Sequence, residues 1–250
     1  MNAMLYLIGL GLNDEEDLSL KAINAMMKCD EVYCELYTGI WHGDIKKLEN
    51  ISKKKIVILK RADVESNFLL KKAEEKDVAL LVIGDPMSAT THIDLHLRAR
   101  KMGIRCEIIH NASIVSAVGI TGLQIYKFGR IASIPMHNEN VESPYEVLKG
   151  NLSLGLHTLF LLDLEPENEK YMKISDAIRY LLKVELRRNE KVFSEKTLCL
   201  GCARIGSENQ LVKYGIAKEL LRFDFGNPVQ CLIVPGKLHF VEEEALSRFQ

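Results

Sequence analysis

Two glycine-bearing turns hold the residues best placed to do chemistry. Gly9-Leu10-Gly11-Leu12 closes a short apolar run, Leu5–Ile8, and Gly84-Asp85-Pro86 closes another, Val78–Ile83. Paired glycines at a strand end let a ligand or a neighbouring backbone approach closely. A dinucleotide fingerprint needs a third glycine three places after the second, and Asp14 stands there. Asp14, Glu15, Glu16 and Asp17 then crowd the helix start where a pyrophosphate would sit. The ligand compatible with this turn carries no phosphate. Asp85 lies at a strand's carboxyl end, where open α/β sheets bind their ligands; the alternative is that it merely closes an Asx-turn. With no basic residue at either turn, the pair suits a ligand with cationic or hydroxyl groups.

Other candidates are weaker. His92 and His96 share one helix face at the spacing of a zinc protease, but Ile93 replaces the glutamate of that motif. They read as part of a partly exposed polar face, with Ser88, Thr90 and Thr91 as caps for their helix. His239 follows a Pro235-Gly236 turn near a strand end. Cys199-Leu-Gly-Cys202 has CxxC spacing, but on a strand these side chains point to opposite faces, so the six cysteines read as buried free thiols. The basic clusters Lys53-Lys54-Lys55, Lys60-Arg61 and Arg187-Arg188 are flanked by acids and read as solvated faces. No GxSxG elbow, P-loop or HExxH occurs.

The elements that must position these residues alternate between strand and helix. Strands are predicted at Leu5–Ile8, Glu31–Cys34, Lys55–Leu59, Val78–Ile83 and Arg105–Ile109, with helices at Leu18–Met27, Val64–Glu75 and Ile93–Met102. Such alternation implies βαβ units and a mainly parallel sheet. Residues 131–150, with Pro135, Asn138, Asn140 and Pro144, read as a linker. Beyond it come strands at His157–Asp163, Thr197–Ala203 and Val229–Val234 and helices at Ile174–Arg188 and Tyr214–Arg222. The expectation is two α/β domains, residues 1–132 and 133–250. Composition agrees with a globular chain: 250 residues, 47% apolar, with 33 Lys+Arg against 34 Asp+Glu. The balanced charge offers no field to draw a nucleic acid. The N-terminal residues resemble no secretion signal, and the stretch from Asn111 to Tyr126 is too polar for a bilayer span. The chain reads as a cytoplasmic protein.

Taken together, several stretches resemble the diphthine synthase family, a branch of the S-adenosylmethionine methyltransferases that includes the tetrapyrrole methylases. They are Leu5-Tyr-Leu-Ile-Gly-Leu-Gly-Leu12, Gly84-Asp-Pro-Met-Ser-Ala-Thr-Thr-His92, His110-Asn-Ala-Ser-Ile114, Gly119-Ile-Thr-Gly-Leu-Gln-Ile-Tyr-Lys-Phe-Gly129, Gly155-Leu-His-Thr158 and Val234-Pro-Gly-Lys-Leu-His239. The glycine turn and the Gly-Asp-Pro segment are shared across the wider superfamily. The stretches Gly119–Gly129 and Val234–His239 are similar to the diphthine branch in particular, against a tetrapyrrole methyltransferase as the alternative. A non-catalytic cofactor-binding module is the further alternative.

The resemblance implies two α/β domains with mainly parallel or mixed sheets and the cofactor in the cleft between them. It implies a homodimer that repeatedly methylates the amino group of a modified histidine on translation elongation factor 2, in diphthamide biosynthesis. The cofactor is S-adenosylmethionine, leaving as S-adenosylhomocysteine. By motif, its contacts are Leu12, Asp85, Ser88, Ser113, Ile114 and Leu162, with Ile205 and His239 completing the pocket. No residue declares itself a general base, and the resemblance assigns none.

Overall fold

The computed structural model describes residues 3–250, which form two compact units divided between Val115 and Ser116. In the first, strands β1 (Met4–Gly9), β2 (Glu31–Glu35), β3 (Ile56–Leu59), β4 (Val78–Val82) and β5 (Arg105–Ile109) make one sheet in the order β3-β2-β4-β1-β5. Every pairing is parallel, so all five carboxyl ends lie along one edge. Helices α1 (Leu20–Lys28) and α2 (Ile45–Ser52) cover one face; α3 (Arg61–Glu65), α4 (Phe68–Lys72) and α5 (His92–Lys101) cover the other. Alternation along β4 explains its unbroken apolar sequence. Val78, Leu80 and Val82 pack with Leu69, Leu70 and Leu95, while Ala79 and Leu81 pack with Ala22, Met26 and Leu48.

Helix α6 (Ile114–Ala117) spans the boundary, and the second unit begins within it at Ser116. It then carries β6 (Ala132–Ile134), α7 (Ser143–Ser153), β7 (Thr158–Leu162), a small hairpin of β8 (Leu164–Glu165) and β9 (Lys170–Tyr171), α8 (Ile174–Arg188), β10 (Leu198–Ala203), β11 (Leu211–Ile216), α9 (Ala217–Leu220), β12 (Gln230–Val234) and α10 (Phe240–Ser247). Its main sheet runs β11-β10-β12-β7-β6, mixed in direction, with the β6–β7 pair parallel and the rest antiparallel. One core joins Phe160, Leu232 and Val234 of the strands to Tyr145 and Leu148 of α7 and Ile178, Leu181 and Val184 of α8. Gly201 sits mid-strand because a side chain there would collide with the Phe225 ring.

Three sequence-based elements differ. The helix expected over Val64–Glu75 is two short ones, because Ser66 adopts an extended conformation and its hydroxyl accepts the Phe68 amide 3.0 Å away. Residues 131–150 are not a linker: Ala132–Ile134 joins the second sheet and Pro144 opens α7 in the first turn, where its missing N–H costs nothing. The helix expected over Tyr214–Arg222 is shorter, Ala217–Leu220, since Leu211–Ile216 completes an antiparallel ladder with β10. Tertiary pairing there overrides the helical spacing. All six cysteines are free and five are buried, Cys106 being half-buried; Cys199 enters the unit's core while Cys202 faces Cys231 across the β10–β12 ladder.

Candidate functional site

The adjacent carboxyl ends of β4, β1 and β5 bring together five of the residues singled out from sequence: Leu12, Asp85, Ser88, Ser113 and Ile114. The two glycine turns clasp each other. Gly84 donates to the Gly11 carbonyl at 2.8 Å and Gly11 to the Gly84 carbonyl at 3.2 Å. Both glycines have positive φ, 85° and 71°, a region that favours glycine. Gly9 lies so close to the Gly84 carbonyl and to Asn111 that a Cβ there would meet them at 2.5 and 2.7 Å.

The amides that would cradle a phosphate after β1 are already occupied. Asp17 Oδ2 accepts from the Leu12 amide at 2.9 Å and from the Asn13 amide at 2.7 Å. Asp14 caps the single helical turn Glu15–Asp17, and Glu15 pairs with Lys47 at 2.8 Å. The acidic run therefore builds the turn from inside and closes it to a pyrophosphate.

Asp85 is buried and saturated. Its Oδ1 accepts from the Met87 amide at 2.8 Å and the Ser88 hydroxyl at 3.2 Å; its Oδ2 meets His110 Nδ1 at 2.8 Å and accepts from the Asn111 amide at 3.1 Å. The Met87 contact is the Asx-turn, so Asp85 does shape its loop, and it also ties that loop to the end of β5. Burial pushes this carboxyl up, but the Met87 and Asn111 amides and His110 outweigh it and hold it below the usual range. A carboxylate has about four acceptor positions, and all are used. His110, with its side chain 69% exposed, is the partner a cationic or hydroxyl-bearing ligand can replace. Ser113 is buried, its hydroxyl accepting from the Val115 amide at 3.3 Å, and half-buried Leu12 and Ile114 supply apolar surface. This set fits a phosphate-free cofactor with a cationic centre.

The second unit places Leu162 at the end of β7 and Ile205 just past β10, both buried and at the same edge of its sheet. His239 is separate from them. The strand before it, β12, runs antiparallel to β7 with Val234 beside Thr158, so His239 lies near the opposite edge, exposed, as the N-cap of α10.

Sequence reasoning missed Glu242. This fully buried carboxylate accepts from the Gln124 amide at 2.9 Å, His157 Nε2 at 3.0 Å, the His239 amide at 2.8 Å and the Lys127 ammonium. His157 Nδ1 accepts from the Gly236 amide at 2.9 Å, which fixes Nε2 as the donor toward Glu242. Burial raises the Glu242 carboxyl, yet Lys127, the two amides and His157 reverse this and hold it at about 2. Three separate motif stretches, Gly119–Gly129, Gly155–Thr158 and Val234–His239, thus converge on one carboxylate outside all of them. The His239–Glu242 capping box was its signal in the sequence, at the N-cap and third helical positions. Glu35, at the end of β2, is likewise buried; burial raises its carboxyl while the Thr38 hydroxyl and the amides of Ile83, Thr38 and Tyr37 oppose the shift. His92 is another departure: expected on a partly exposed face, it is 2% exposed, because α5 turns it inward beside Tyr37. Thr91 caps α5 without a side-chain bond, and Thr90 takes the His92 amide at 3.4 Å.

The chain, with its glycine clasp over an acid-built turn, matches the tetrapyrrole (corrin/porphyrin) methylase model over residues 4–221. The chain belongs to that family of methyltransferases. A diphthine synthase of Methanococcus maripaludis strain C7 is 48% identical over 248 residues, 97% of each chain. One from Methanosarcina acetivorans is 49% identical over 253 residues, covering 97% of this chain and 94% of that one. A crystal structure of a diphthine synthase is 39% identical with a TM-score of 0.90, over 99% of this chain and 96% of that one. Within the methylase family the chain belongs with the diphthine synthases.

Proposed function

We propose that this methyltransferase of diphthamide biosynthesis holds S-adenosylmethionine at the carboxyl edge of its first sheet. Its substrate is the amino group of the modified histidine on translation elongation factor 2, methylated repeatedly. The observation that carries the reading is near-full-length similarity to diphthine synthases, 48% over 97% of the chain, beside the resemblance carried by the motifs in Gly119–Gly129 and Val234–His239. A tetrapyrrole substrate is the second reading, and those two stretches favour the first.

In this reading Leu12, Asp85, Ser88, Ser113 and Ile114 contact the cofactor from the first unit, and Leu162, Ile205 and His239 from the second. Asp17 keeps the Leu12 and Asn13 amides away from anions, so the turn discriminates against nucleotides. Asp85 exchanges His110 for a donor of the cofactor, and the glycine clasp lets backbone approach without side-chain obstruction. The bound cofactor supplies a methyl group on a sulfonium, so transfer is a direct displacement. What remains for the protein is to align a neutral amine with the S–CH3 bond and to exclude water. We read the enzyme as a cytoplasmic homodimer; among the described residues no helix is long and apolar enough to cross a membrane.

The test is intact-mass analysis of elongation factor 2 bearing the aminocarboxypropyl histidine, incubated with the protein and S-adenosylmethionine. Added methyl masses on that histidine support the reading and count the transfers. An unmodified factor, with methyl transfer to a porphyrinoid instead, rejects it.

A further inference from the structure

Among the described residues five buried polar side-chain atoms have no hydrogen-bond partner: Trp41 Nε1, which packs on the other face of the first sheet, and Tyr37 Oη, His92 Nδ1, His92 Nε2 and His96 Nδ1. His92 is 2% exposed and Tyr37 8%, and their rings lie 6.5 Å apart. His96 follows one turn later on α5, on the same face. Leaving a buried polar group unpaired costs about 1–3 kcal/mol, and such groups in native proteins need an explanation. A cluster of them marks a place whose partner arrives from outside.

The chemistry of the cluster narrows that partner. Among the described residues no three His, Cys, Asp or Glu side chains gather as metal ligands. An anion finds no match either. Burial alone pushes the His92 imidazole down to about 4, so it is neutral, and the carboxylates of Glu35 and Glu65 act on Tyr37. The Arg61 guanidinium is already stacked 5.0 Å over the Tyr37 ring. What the cluster offers is lone pairs, on an uncharged imidazole and a phenol oxygen, next to aromatic faces. Those suit an amine with N–H groups to donate. The position agrees: Tyr37 lies two residues past the end of β2, and His92 ends the loop from Gly84 that bears Asp85 and Ser88.

We propose that Tyr37, His92 and His96 form the receiving site for the amino group that is methylated, with His92 accepting a hydrogen bond from it. This rests on the methyl-transfer reading above and names its missing acceptor. Burial of the accepting imidazole disfavours an ammonium beside it, and the Arg61 guanidinium over Tyr37 opposes the field of Glu35 and Glu65, so the site takes the neutral amine, which is the form able to attack. In each transfer the nitrogen lone pair makes the new N–C bond, with the S–C electron pair left on sulfur. After each of the first two transfers one proton leaves the nitrogen to solvent; a third gives a quaternary ammonium and releases none.

The test compares His92→Leu, His92→Gln and Tyr37→Phe with the wild type. Three readouts are taken: label transfer to elongation factor 2 bearing the aminocarboxypropyl histidine, calorimetric binding of S-adenosylmethionine, and thermal unfolding. The expected result is a fall in turnover of about 100-fold for His92→Leu and about tenfold for Tyr37→Phe, with cofactor affinity unchanged. His92→Gln, which keeps an acceptor oxygen, retains more activity than His92→Leu. Because the imidazole has no internal partner, His92→Leu melts at the same temperature as the wild type or higher. Full turnover in His92→Leu or Tyr37→Phe overturns the proposal, and so does a melting point lowered by several degrees, which would mark a structural group or a buried water site. Failure of the wild type to methylate the factor rejects the parent reading instead, so the two failures are distinct.

Discussion

Replacing Glu242 by Gln removes one charge from the centre of the second unit and keeps the side chain's shape. The carboxylate is fully buried and takes four donors, two of them backbone amides, one the Lys127 ammonium and one His157 Nε2. An amide has one acceptor oxygen, so its NH2 must face a donor, and Lys127, 22% exposed, loses its counter-charge. Breaking a buried pair on one side costs about 3–5 kcal/mol. Titration gives a similar size independently. A carboxyl held at about 2 instead of its ordinary 4.5 contributes roughly 3 kcal/mol at neutral pH. The sign follows from the depressed value: the contribution is complete above pH 5 and lost as pH falls toward 2. Urea unfolding of wild type and Glu242→Gln should therefore differ by about 3 kcal/mol or more at pH 7. That gap should close progressively as pH is lowered through 4 and 3, and the difference cancels other carboxylates such as Glu31 and Glu185 that titrate in the same range. A gap under about 1 kcal/mol at pH 7, the size of an ordinary neutral hydrogen bond, or one that stays constant down to pH 3, would refute the assignment of Glu242 as the ionised hub of this unit.

Two further perturbations address the first unit. Asp85→Asn leaves the Met87 turn feasible but weakens the charge-assisted contact proposed for the cofactor; S-adenosylmethionine affinity by calorimetry should fall about 10- to 100-fold, and unchanged affinity removes Asp85 from the site. Gly11→Ala places a Cβ on Asp17 at a φ of 85°. It should cost about 1–3 kcal/mol in unfolding free energy and free the Leu12 and Asn13 amides, read as accelerated hydrogen exchange at those two positions; wild-type exchange there contradicts the capping role of Asp17.

Much of the first unit was legible because its rules are local. Apolar runs ending in glycine mark β1 and β4, the acidic run after Gly11 excludes a pyrophosphate, and the Gly84-Asp85-Pro86 turn puts Asp85 at a strand end. The helix Ile174–Arg188 is likewise read directly from its apolar spacing. The second unit was less legible where antiparallel pairing decides. Tyr214 has helical neighbours in sequence but pairs with Leu200 in a ladder, and Ala132–Ile134 is a strand only because β7 is there to receive it.

The sequence by itself determined the family, the order of most strands and helices, and the residue types at the glycine turns, since these depend on periodicity, turn chemistry and motif. Tertiary structure alone decided which polar groups lose water and which find partners. Glu242 reads as one acid of a run until folding surrounds it with donors from three distant stretches. His92 reads as a surface histidine until α5 packs it against Tyr37 and leaves its nitrogens dry. Burial and pairing are properties of neighbours distant in the chain, and a carboxylate or imidazole acquires its chemistry from them.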